Sequence, residues 1–280
     1  MEYRTYGSVG PRVAVLHGGP GAPGHMAPVA RRLAARCRVI EPFQRPSGPD
    51  HQTVALHVAD MAELLETLGW DRTHLVGSSW GAMLALAFAA EVPARVESLV
   101  LVGCGTFDPV ARARFRELRH ARTTPPLQRR LDRANGLGDP AERLAAQARV
   151  MHLVYSHDAD DDQTEPGRVD PRANRETWDD MLRLQAEGVY PAAFQRIRAP
   201  VLMLHGSEDP HPGRMIFDSL RPYVADLTYH EWVECGHYPW LERAASEDFY
   251  DRLGRWIQDT GDRRDRPETA KPGRRTGRGG

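Results

Sequence analysis

Gly77-Ser78-Ser79-Trp80-Gly81 sets a serine between two glycines, directly after the apolar run His74–Val76 and ahead of the Ala- and Leu-rich stretch Ala82–Ala90. A serine hydroxyl attacks a carbonyl only when a base removes its proton. Read as strand, tight turn and helix, this segment would lift Ser79 above the end of a sheet, near the positive end of the following helix. The glycines fit such a turn because strand and helix approach too closely for a Cβ. Ser78 is the rival hydroxyl, but Ser79 holds the central position of the G-x-S-x-G pattern.

Acyl transfer through a serine develops negative charge on the carbonyl oxygen, which calls for two preorganised N–H donors. One is expected from Trp80, the residue after the serine. The other is expected from His17-Gly18-Gly19-Pro20-Gly21, which follows the short apolar run Val13–Leu16. Pro20 has no N–H, so Gly19 is the chosen donor, with Gly18 second. A base and its supporting acid complete the set. Cys235-Gly236-His237 follows the run Leu227–Val233 and offers His237 as base. His205-Gly206-Ser207-Glu208-Asp209 follows Val201–Leu204 and offers Asp209 as the acid that fixes the tautomer of His237. Glu208 and Asp108 are the rival acids. Cys235 reads as structural.

The elements that must position these residues alternate along the chain. Val13–Leu16, Val39–Ile40, His74–Val76 and Leu99–Val102 are short, mostly β-branched runs bounded by turn residues, as buried parallel strands are. Thr53–Leu68 repeats apolar residues at helical spacing and stops at Gly69, and Ala82–Ala90 is a second helix. After Cys104 the alternation ends. Asp139-Pro140-Ala141-Glu142 is a strong helix start ahead of Ala145–Tyr155, and Asn174–Glu187 is a further helix with Trp178 on its apolar face. Between them His157–Pro171 reads as an acidic surface loop. Strands return at Val201–Leu204 and Leu227–Val233, and Phe249–Ile257 closes as a helix. The expected organisation is an α/β core over 1–107 and 196–258, a mostly parallel sheet flanked by helices. It is interrupted by an all-helical cap over 108–195 and followed by a disordered basic tail over 259–280.

Composition narrows the function classes. The chain has 280 residues, 41% hydrophobic and 27% charged, with formal net charge −1, which gives no reason to expect nucleic acid or an anionic membrane as partner. Its three cysteines are widely spaced and form no C-x-x-C pair, so neither a disulfide framework nor a thiol metal site is expected. With no secretory pattern at Met1–Gly10 and no apolar stretch of about 20 residues, the expectation is a cytoplasmic protein. It should need no cofactor or metal and act on a small molecule or short peptide.

The HGGPG run, the G-S-S-W-G pentapeptide and Gln44-Arg45-Pro46-Ser47-Gly48 together resemble the proline iminopeptidase branch of the α/β-hydrolases, over residues 13–107 and, by placement of Asp209 and His237, over 196–257. The order Ser, Asp, His along the chain is that of this fold. Glu41-Pro42-Phe43 stands where the family carries an aspartate before Gln-Arg. The resemblance implies a serine hydrolase of small esters or amides working through an acyl-serine intermediate, in its most specific form an aminopeptidase for N-terminal proline. It also implies cap carboxylates that hold the substrate's free amine. Glu176, Asp179 and Asp180, beside Trp178, are the candidates. Other readings of the same fold are a non-hydrolytic lyase or cyclase, or a ligand-binding receptor. A nucleophilic aspartate is excluded because position 79 is serine.

Overall fold

The computed structural model describes residues 1–21, 23–160 and 169–265. Seven strands form one sheet: β1 (Tyr3–Tyr6), β2 (Arg12–Leu16), β3 (Arg38–Pro42), β4 (Thr73–Ser78), β5 (Val96–Val102), β6 (Val201–Gly206) and β7 (Leu227–Trp232). Their spatial order is β1-β3-β2-β4-β5-β6-β7; β1 is antiparallel to β3 and every other neighbouring pair is parallel. The chemistry-bearing loops therefore leave one edge of the sheet, the C-terminal ends of β2, β4, β5, β6 and β7.

Strand alternation divides the core. Val13 and Val15 of β2 pack with Val76, Val100, Val102 and the helices α1 (Ala27–Leu33) and α9 (Ser246–Asp265) on one face. Ala14 and Leu16, with Leu75, Leu99 and Leu101, face α2 (Val54–Thr67), α3 (Trp80–Glu91) and α8 (Gly213–Leu220) on the other. Helix α3 is buried all round, which is why its sequence is Ala- and Leu-rich with no polar face. Gly69, where the sequence ends α2, has φ +62° and nothing within 4 Å of a Cβ, so the left-handed turn alone requires glycine there.

Between β5 and β6 the chain runs through α4 (Pro109–Arg122), α5 (Pro125–Asn135), α6 (Pro140–Tyr155) and α7 (Pro171–Ala186). Asp139 caps α6 through Glu142 N at 2.8 Å, as its sequence implies, and α7 begins earlier than Asn174 because Asp170 caps it through Ala173 N at 2.9 Å. β1, α1 and α8 run only 4, 7 and 8 residues, too short for a pattern to be read from sequence. The C-terminal boundary also differs. Helix α9 continues to Asp265, so Asp259 does not begin an irregular tail; Thr260 is buried, and its Oγ1 donates to Trp256 O one turn back in the same helix at 2.6 Å. The rest of the expected tail, and residues 161–168 of the expected acidic loop, lie outside the described residues. Among the described residues no helix is long and apolar enough to cross a membrane.

Candidate active site

Ser79 occupies the turn between β4 and α3 with φ 54° and ψ −116°, a backbone conformation that costs a non-glycine residue roughly 1–3 kcal/mol and persists only where its surroundings enforce it. They do so sterically. A Cβ on Gly77 would lie 2.2 Å from Gly81 O, and one on Gly81 would lie 2.2 Å from Leu16 O. Ser79 N–H donates to Val102 O at 2.8 Å, which ties the turn to the end of β5. Ser78 is fully buried, whereas Ser79 is only half-buried at the sheet edge. Of the two hydroxyls, that of Ser79 is the more accessible.

His237 and Asp209 meet from two different loops. His237 Nδ1 lies 2.6 Å from Asp209 Oδ2, with both side chains essentially inaccessible. The imidazole rests against the end of β5, where a Cβ on Gly103 would fall 2.7 Å from His237 Cε1 and Nδ1. Ser79 and His237 thus share the end of that strand. Burial pushes the Asp209 carboxyl up, but His237, His211 and His205 outweigh it and hold Asp209 well below the ordinary carboxylate range. The rival acids are occupied elsewhere: Asp108 caps α4 through Ala111 N at 2.8 Å, and Glu208 pairs with Arg122 at 3.1 Å.

The loop after β2 is braced by groups that the sequence does not single out. Burial pushes His17 down to about 4, so it is neutral at neutral pH. Its Nδ1 faces Gly18 O at 2.9 Å and its Nε2 accepts Gln44 N–H at 3.2 Å, which fixes the tautomer. Gln44 also donates through Nε2 to His17 O at 3.2 Å and accepts the Trp80 indole N–H through Oε1 at 2.9 Å. One glutamine therefore joins the glycine loop to the turn that carries Ser79. Gly18, whose Cβ position lies 3.0 Å from the Ser79 Cβ, gives its N–H to His25 Nε2 at 3.3 Å. Gly19 is exposed with φ 44°, and Trp80 supplies the first N–H of α3, which has no acceptor within the helix.

The expected amine-binding carboxylates are used differently. Glu176 accepts Gln52 N–H at 2.9 Å and pairs with Arg172 at 2.6 Å; the Arg172 hydrogen bond, then that of Gln52, holds its carboxyl below the ordinary range. Asp180 accepts Val54 N–H at 2.8 Å. Both carboxylates dock α7 on the start of α2, where orphan N–H groups and the helix dipole favour negative charge. They act as tethers between α7 and the start of α2. Asp179 is exposed, and Trp178 packs edge-on against Trp80 with ring centroids 5.7 Å apart.

The opposite end of the helical segment is fastened to the acid and base loops. Tyr155 O accepts His237 N–H at 2.8 Å, and Glu242 accepts the N–H groups of His157 and Asp158 at 2.9 and 2.7 Å. Arg122 donates to Val154 O at 2.8 Å and Ser156 O at 2.6 Å while pairing with Glu208. Burial pushes the Cys235 thiol up, which disfavours its thiolate form. A cleft of about 1330 Å³ between Gln44–Gly48 and the starts of α6 and α7 meets this site at Gln44 but is not lined by Ser79 or His237. Asp209, His211 and His237 bring ligand-type atoms within 4.8 Å of one another, but both imidazole Nδ1 atoms are directed at the carboxylate as in hydrogen bonds. That arrangement does not fit a cation held among three lone pairs.

Comparison with known proteins agrees with this architecture. The chain is 28% identical over 247 residues to 2-hydroxy-6-oxo-2,4-heptadienoate hydrolase of Pseudomonas putida, covering 82% of this chain and 84% of that one. It is 25% identical over 275 residues to a proline iminopeptidase of Lactobacillus delbrueckii subsp. bulgaricus, covering 87% and 88%. In structure it superposes on a proline iminopeptidase of Mycobacterium smegmatis with TM-score 0.61 at 19% identity (94% and 96% covered) and on a thermophilic esterase of Thermogutta terrifontis with TM-score 0.63 at 20% (92% and 93%). Residues 11–244 match the family described by the alpha/beta hydrolase fold, and the chain belongs to that family as an enzyme of the alpha/beta hydrolase type.

Proposed function

We propose that this protein is a serine hydrolase that cleaves a small ester or amide through an acyl-Ser79 intermediate. Ser79 Oγ attacks the carbonyl carbon as its proton passes to His237 Nε2; the same proton then goes to the leaving group. Asp209 holds Nδ1–H of His237 and offsets the imidazolium charge. The N–H groups of Gly19 and Trp80 receive the oxyanion. Water, activated by His237, then releases the acid. The observation that carries this reading is the buried 2.6 Å contact between His237 and Asp209 at the edge where Ser79 is held at positive φ.

For the substrate, the cap speaks for a neutral or anionic acyl group over a free amine. Glu176 and Asp180 already serve backbone N–H groups, and Asp170 serves Ser47 N and Oγ at 2.7 and 2.8 Å besides capping α7. The relatives named as proline iminopeptidases favour the competing aminopeptidase reading. Turnover of p-nitrophenyl acyl esters, lost in Ser79→Ala, tests the hydrolase. Matched prolyl and N-acetylprolyl nitroanilides test the amine. We expect no preference for the free amine. A preference of about 100-fold, lost in Asp179→Ala, would install the aminopeptidase instead.

A further inference from the structure

His211 has no part in the chemistry above, yet it touches both of its buried members. In Asp209-Pro210-His211-Pro212 the two prolines restrict the backbone on either side of the histidine, and the turn returns it to the carboxylate. His211 N–H and Nδ1 lie 2.9 and 3.0 Å from Asp209 Oδ1, while His237 Nδ1 takes Oδ2. His205 Nε2 stands 3.2 Å from Oδ2. The His211 ring stacks on His237 with centroids 4.8 Å apart and planes at 27°, and on Phe115 of α4 at 4.3 Å and 21°.

One carboxylate therefore serves two stacked imidazoles that present the same nitrogen to it. Burial pushes His211 below its ordinary value against the pull of Asp209. With Nδ1–H on the carboxylate, each neutral ring keeps Nε2 bare. A single negative charge compensates a single imidazolium, and a second would lie directly against the first.

We propose that His211 is a positioning residue for the base, drawing on Asp209 through Oδ1 so that His211 and His237 take up one proton between them. The proposal rests on the reading of Ser79, His237 and Asp209 as a catalytic triad. The other groups facing this pair hold their charge. Tyr155 of α6 packs edge-on against both rings, and burial pushes its hydroxyl up to about 12, with Arg119 of α4 as its hydrogen-bond partner. Tyr238, edge-on to His237 at 4.9 Å, is pushed up by burial as well. Asp209 and the imidazoles of His205, His211 and His237 form one buried cluster there.

The test needs no natural substrate. A fluorophosphonate probe forms a bond from Ser79 Oγ to phosphorus as the P–F bond breaks; the hydroxyl proton goes to His237 and fluoride leaves. The second-order labelling rate against pH reports protonation of the base. His211→Phe keeps an aromatic stack but deletes the Nδ1–H donor, so Asp209 holds a proton on His237 more strongly. We expect the acid limb to move to higher pH by about half a unit to one unit, and His211→Asn, whose amide can replace Nδ1–H, to return it to the wild-type position. An unmoved limb in His211→Phe overturns the proposal whatever the rate, and so does an equal shift in both variants. Should His211→Phe not fold, the imidazole ¹⁵N resonances of the wild-type protein decide: one shared proton over the acid limb supports the proposal, and two independent protonations overturn it. Absence of labelling at Ser79 in the wild-type protein would instead refute the triad on which it rests.

Discussion

The sheet edge that carries Ser79 and the helices above it are held by different physics. At the edge, geometry is steric: Gly77, Gly81 and Gly103 stand where any Cβ would fall within 2.7 Å of a neighbouring atom, and the strands below are buried save Glu97 of β5. The helical segment is fastened by polar contacts between residues distant in sequence. Arg122 grips the end of α6 and Glu208, while Glu176 and Asp180 grip the start of α2. Close packing admits almost no variation, whereas a charged tether tolerates small displacements. The contrast sets a sterically fixed sheet edge beside a helical segment held by polar tethers.

The largest effect should come from violating the steric half. Gly77→Ala puts a Cβ against the Gly81 carbonyl, and we expect a loss of more than about 3 kcal/mol, with failure to fold as the extreme. A chemical denaturation curve within about 1 kcal/mol of wild type would mean the turn is looser than its geometry.

Acid should also strike the sheet side. His17, His57 and His74 all lie in the core, and burial pushes each down to about 4. Between that value and about 6.5 the unfolded chain binds more protons than the folded one. The stability these residues lend is therefore complete above pH 6.5 and lost as pH falls toward 4, by up to about 3 kcal/mol for each. A urea midpoint that stays flat from pH 7 to pH 4.5 would contradict this.

The two tethers should separate in kind. Arg122→Ala strands two carbonyls beside the acid and base loops; we expect about 2 kcal/mol in stability and a fall in kcat, because Glu208 precedes Asp209 and Tyr155 O holds His237 N–H. Asp180→Ala removes a helix-start acceptor remote from the imidazoles and should cost about 1 kcal/mol with kcat unchanged. Equal effects on kcat would erase the distinction between the two ends of the cap.

Legibility in the sequence follows the same division. The Ser79 turn, its flanking glycines and the positions of Asp209 and His237 could be read because each lies beyond a short strand, fully buried for β4 and β6 and only partly for the edge strand β7. The domain's two-faced sheet was readable from the same runs. Gln44 as the bridge between His17 and Trp80 could not be, since the pairing spans |i−j| of 27 and 36 and has no local periodicity. Nor could the capping of α2 by Glu176 and Asp180, at separations of 124 and 126. A carboxylate on a helix looks the same in sequence whether it waits for a ligand or serves a distant backbone. His211 left a trace, the prolines on either side of it, that gains meaning only once the turn is seen folded over Asp209.

The acyl intermediate is the centre of this account, and one experiment addresses it directly. Enzyme mixed with excess p-nitrophenyl acetate is quenched in acid at early times, and the adduct is located by peptide mass spectrometry. The account predicts a burst of nitrophenol matched by a single acetyl group on the peptide containing Ser79, with neither burst nor adduct in Ser79→Ala. Steady turnover with a full burst in Ser79→Ala, or an acetyl group carried by any other residue, would contradict it.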